Sequence, residues 1–222
     1  MLKTNEILDE KVKLLRTVSK EVEFPLTKED KETIDKMIEY LHDSQIDELA
    51  EKYDLRPGMG LSAIQLGIPK RYFVVVYEVD ENEFETYVLI NPRMISNSVE
   101  QIYVADGEGC LSVNRPVEGI VPRYARVTFE AYDMDGNKIH VRAREDLSIC
   151  FQHELDHLNG ILFVDHIDPK NPFNPGLNSR FNEDMVAKAS IGMKETGLPI
   201  ALLMVMALIS LSFCGFNISK KR

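Results

Sequence analysis

His153-Glu154-Leu155-Asp156-His157 places two imidazoles and a carboxylate within five residues. On a helix, positions i and i+4 share a face one turn apart, so both rings can reach a single cation. Glu154, beside the first ring, can take a proton from a water that the cation activates. This is the chemistry of metal-assisted hydrolysis. Two histidines can fall on a surface helix by accident, but composition alone yields the five-residue pattern in roughly one chain in several hundred.

A catalytic cation needs a third protein ligand and an open position. Cys150 sits one turn before His153, yet it is seven residues from His157, roughly 10.5 Å along a helix axis. Bonds of about 2.0–2.3 Å cannot span that distance and also hold His153. Cys150 therefore reads as a small core residue. His166 is a competitor, because helix-borne zinc peptidases draw a ligand from downstream, but the motif those enzymes carry is absent around it. Cys110 is the better candidate. It stands between Gly109 and Leu111 in a loop where the backbone can come close to a ligand, although Gly107 and Gly109 fit a tight strand connection equally well.

These residues need a scaffold. A helix is expected over residues 28–52, with Thr27 as N-cap and Ile34, Met37, Ile38, Leu41 and Leu49 at helical spacing. Strands are expected at 72–77 and 86–90, the second stopped by Asn91-Pro92, and around Ile102-Tyr103-Val104. Residues 126–132 and 138–144 form a hairpin about Asp135-Gly136-Asn137. Asp146 caps a helix over residues 147–159 that ends at Gly160 and buries Phe151, Leu155 and Leu158. Strands joined by hairpins and followed by a helix point to an α+β fold.

Bulk properties narrow the function. At 222 residues the chain fits one ordinary domain, and its net charge of −10 argues against nucleic-acid binding, which needs a basic face. Three cysteines, Cys110, Cys150 and Cys214, cannot all pair. Glu6, Asp9 and Glu10 interrupt any secretory signal, so the chain reads as intracellular and reduced, a cytoplasmic protein. The tail differs: residues 198–216 are almost wholly apolar, and about 28 Å of helix would match a bilayer core. Positive charges at Lys220, Lys221 and Arg222 disfavour crossing, while Lys188 and Lys194 argue weakly the other way. The expected organisation is a catalytic domain at 1–170, a linker at 171–197, and an apolar helix at 198–219 as a candidate membrane anchor.

Three segments together resemble the motifs of peptide deformylases: Gly58-Met59-Gly60-Leu61-Ser62-Ala63-Ile64-Gln65, Glu108-Gly109-Cys110-Leu111-Ser112, and Gln152-His153-Glu154-Leu155-Asp156-His157. Their order and spacing also match, over about residues 1–170. The long segment before the first motif is similar to the larger-insert, Gram-positive-like type. Ser62 stands where alanine is typical, and Ile64 where proline or threonine is frequent.

The resemblance implies antiparallel sheets packed around a central metal-binding HExxH helix; the periodicity over 28–52 and the apolar tail add an N-terminal and an apolar C-terminal helix. It implies metal ligands Cys110, His153 and His157, and one Fe²⁺ per chain, with Ni²⁺, Co²⁺ or Zn²⁺ as substitutes; ligand identity alone would suggest zinc. The implied reaction removes the formyl group from the N-terminal methionine of newly made polypeptides and releases formate. Metal-bound water attacks the formyl carbon while Glu154 takes a proton and returns it to the leaving amine. The Gln65 amide and the Leu111 N–H meet the oxyanion. Met59, Gly60 and Gly109 are expected to contact substrate, with Met59, Ile149 and the neighbourhood of Leu155 lining a methionine pocket. The partners implied are N-formyl-methionyl nascent peptides and, transiently, the ribosome. Two other readings stand beside this one: a metallopeptidase that uses His166, and a structural metal site or inactive homologue.

Overall fold

The computed structural model describes residues 1–80, 82–176 and 178–181, and a first compact unit runs from Met1 to Asn182. Helix α1 spans Lys28–Asp43 and α2 Asp47–Tyr53. Thr27 caps α1 by accepting the Asp30 N–H at 3.1 Å. The single helix expected over 28–52 is broken. Gln45 turns its amide onto the Leu41 and Val76 carbonyls (2.9 and 3.0 Å), and Ser44 Oγ donates to the Leu41 carbonyl at 3.1 Å. These side chains compete for the acceptors that the next turn would use.

Five strands form the main sheet: β1 Gly60–Ser62, β2 Tyr72–Asp80, β3 Glu83–Asn97, β6 Arg126–Tyr132 and β7 Lys138–Arg144, in the order β1-β2-β3-β6-β7 and antiparallel throughout. Asn91-Pro92 does not stop β3. Asn91 takes a positive φ of 51°, its side chain bonds both backbone groups of Val22, and the register to β6 shifts between Ile90 and Arg93. A bulge thus carries the strand past a proline that cannot donate to the ladder. The β6–β7 hairpin forms as expected, with the Asp133 carboxylate accepting the Asp135 and Asn137 N–H groups.

A smaller sheet joins β4 Gln101–Tyr103 between β5 Arg123–Tyr124 and β8 Ser179–Phe181. The β4–β8 pair is parallel, so the sheets are not uniformly antiparallel, and β8 falls inside the stretch read as a linker. Helix α3, Glu145–Leu158, begins directly after β7. Arg144, in extended backbone, is its N-cap, whereas Asp146 lies buried in the first turn, where its charge suits the positive end of the helix.

Alternation along β2 divides the core. Tyr72, Val74 and Val76 pack with Ile34, Met37 and Leu41 of α1, while Phe73 and Val75 pack with Phe129, Phe151 and Leu158 under α3. Phe151 meets the rings of Phe73, Phe129 and Tyr87 edge-on at 5.5–5.6 Å between centroids. This seats α3 on the sheet and fixes which of its faces points at β1. Among the described residues no helix is long and apolar enough to cross a membrane. Residues 198–219, including Cys214, lie outside the described residues.

Candidate metal centre

The helical spacing acts as expected: His153 and His157 lie one turn apart on α3, their rings edge-to-face with centroids 5.0 Å apart. Cys110 arrives from the loop after β4, its Sγ 3.2 Å from His157 Nε2. One ligand atom from each of Cys110, His153 and His157 lies within 4.8 Å of the others, and all three side chains are nearly or wholly buried. Neither Cys150 nor His166 joins this cluster. His166 Nε2 instead bonds Asp156 Oδ2 at 2.7 Å.

The donor set fits a divalent ion of the transition series. One thiolate and two imidazoles suit such a cation, and bonds of about 2.0–2.3 Å can converge between atoms this close. His153 donates from Nδ1 to Glu108 Oε2 at 2.8 Å, which leaves Nε2 for a metal. Burial disfavours charge on His153, but Cys110 and Glu108 outweigh it and drive its pKa well above the usual histidine value. Burial and the charge of His153 hold His157 neutral. Of the two rings, His153 holds the proton and His157 does not.

Arg123, which no local pattern in the sequence marks, closes the back of the site. Its side chain is 5 % exposed. It donates to both oxygens of Glu108, at 2.7 and 3.0 Å, and to Asp156 at 2.5 Å. Burial would raise the pKa of Glu108, yet Arg123 and His153 bring it down to about 2. Arg56 clasps the cysteine loop from the other side, donating to the carbonyls of Cys110 and Val113.

Glu154 is 3 % exposed. Burial pushes its carboxyl up to about 7, against the opposing pull of His153 and Ser62. A proton acceptor near neutrality is what general base catalysis requires. Gln65 Nε2 donates to Ser112 Oγ at 3.1 Å and approaches Cys110 Sγ at 3.9 Å. The Leu111 N–H, one residue past the sulfur, donates to no described residue.

The expected substrate contacts divide. A Cβ on Gly60 would lie 2.5 Å from Glu154 Oε1, so glycine is needed for the carboxylate to approach the strand. Gly109 has no neighbour within 4 Å of such an atom, so the chain's own packing does not demand glycine there. Met59 and Leu155 border the same apolar cluster, together with Cys150. Ile149 packs in a separate apolar cluster, with Ile102 and Ala125.

Known proteins resemble the chain along nearly all of this unit. The family profile for polypeptide deformylase matches residues 4–173. The peptide deformylase of Oceanobacillus iheyensis is 48% identical over 158 residues, covering 71% of this chain and 86% of that protein. Peptide deformylase 2 of Bacillus subtilis is 46% identical over 165 residues, covering 74% and 90%. A crystal structure of a peptide deformylase from Legionella pneumophila superposes with a TM-score of 0.61 at 30% identity, over 75% of this chain and 87% of that one. A cysteine and two histidines around one point, on a scaffold shared with these enzymes, place the chain in the peptide deformylase family.

Proposed function

We propose that the chain hydrolyses the formyl amide on the N-terminal methionine of newly synthesised polypeptides in the cytoplasm, releasing formate. The observation that carries this reading is the convergence of Cys110, His153 and His157 next to a buried carboxylate, Glu154. Iron(II) is the proposed ion, with nickel, cobalt or zinc able to substitute in the same donor set. When bound, a divalent ion supplies Lewis acidity, polarising the formyl carbonyl and making water a stronger acid.

The chain's own groups carry the rest. Glu154 accepts a proton from the attacking water and returns it to the departing amine. The Gln65 amide and the Leu111 N–H, which donates to no described residue, would donate to the oxyanion. Arg56 fixes the loop that presents Leu111, and Glu108 with Arg123 holds the ring of His153. Gly60 leaves room for the carboxylate. Met59 and Leu155 offer an apolar border for a methionine side chain.

The test is release of formate from formyl-Met-Ala-Ser by the metal-loaded full chain, with acetyl-Met-Ala-Ser as control. Formate with the first peptide and no cleavage of the second supports the reading. No formate, or hydrolysis of internal peptide bonds, refutes it.

A further inference from the structure

Ser62, at the end of β1, is fully buried, and its hydroxyl lies 2.6 Å from Glu154 Oε2 and 3.0 Å from the Glu154 carbonyl. A hydroxyl has one proton to give, and the shorter, charge-assisted contact to the carboxylate takes it. The other carboxylate oxygen, Oε1, lies over the bare face of Gly60 and has no hydrogen-bond partner among the described residues. The two oxygens of one carboxylate therefore stand in different surroundings, one tied and one open.

The same residue acts on a second group. The Ser62 N–H donates to Gln65 Oε1 at 2.8 Å. Because an N–H can only donate, the amide oxygen must face it. The NH₂ is then turned toward Ser112 Oγ and Cys110 Sγ. The contact to Gln65 runs through the backbone and the contact to Glu154 through the side chain, so substitution at one position separates them.

We infer that Ser62 is a positioning residue for the reaction, its hydroxyl anchoring Glu154 Oε2 so that Oε1 is the oxygen that exchanges the proton. This rests on the reading of Glu154 as the base. An unanchored carboxylate on a flexible side chain samples other rotamers and spends less time aimed at the attacking water.

The experiment uses the metal-loaded full chain and Ser62→Ala, which keeps the backbone contact to Gln65. The expected result is a fall in kcat of about tenfold, in the range of one hydrogen bond to a charged group, with KM and bound metal per chain unchanged. A double-mutant cycle with Glu154→Ala, read by Tm, should show clearly non-additive shifts. Wild-type kcat in Ser62→Ala overturns the assignment and leaves the proposed function standing. Loss spread over KM and metal content overturns it in favour of a merely structural role, and additive Tm shifts overturn the link itself. If the unsubstituted chain releases no formate, the proposed function fails and this assignment fails with it.

Discussion

Arg123 and Glu108 form a buried two-pronged ion pair, with side chains 5 % and 4 % exposed, and the same carboxylate receives the Nδ1–H of His153. One guanidinium thus sets, through Glu108, the orientation of a proposed metal ligand. Replacing it with a neutral side chain leaves a charge stranded in a dry interior. For Arg123→Met we expect a loss of roughly 3–5 kcal/mol in stability and about a ten- to hundredfold weaker hold on metal. Denaturant unfolding and metal titration measure the two. Tight metal binding in a destabilised variant would mean that Glu108 orients the imidazole unaided.

Ligand identity can be read without any assay of turnover. Cys110→Ala and His157→Ala should each strip the chain of metal, because two remaining ligands hold a cation poorly. His166→Ala should keep it, since that ring is engaged with Asp156. The opposite pattern, metal lost with His166 and kept without Cys110, would move the centre to the peptidase arrangement.

Glu154→Gln keeps the shape of the side chain and removes its basicity. Turnover should fall by about 10²–10⁴-fold, with metal content near that of the unsubstituted chain. Substantial residual activity would pass the proton to another group.

How much of this was legible beforehand depended on range. The i and i+4 histidines declare themselves because a helix converts five letters into one face, and the β6–β7 hairpin because its turn is short and built on Asp-Gly-Asn. Residues whose partners are remote gave no sign. Arg123 is one arginine among many until β5 brings it under α3. The break after Asp43 depends on Gln45 reaching the Val76 carbonyl on another strand. Asn91-Pro92 reads as a stop, and is passed only because Val22 satisfies the asparagine side chain.

Away from the metal, Asp30 gives a handle on acid stability. Burial raises its pKa, but the ammonium of Lys70 at 2.6 and 2.7 Å and the hydroxyl of Thr27 at 2.8 Å outweigh that and hold it below the usual 3.8. A depressed carboxyl contributes stability above its unfolded value, and loses it as pH falls through the folded one. Asp30→Asn should therefore cost about 1.5–3 kcal/mol near pH 7, and the gap to the unsubstituted chain should close below pH 3.8. A gap that persists unchanged in acid would assign the cost to packing.

The short strand β8 bears on anyone who wishes to trim the gene. Arg180 reaches back to Glu100 and Glu145, and Ser179–Phe181 lies alongside β4, the strand that leads into the cysteine loop. A fragment ending at residue 170 would keep every proposed ligand yet strip the flank of that loop, leaving Glu100 with Arg126 alone and taking from Glu145 its guanidinium partner. A recombinant catalytic fragment therefore needs to include Ser179–Phe181.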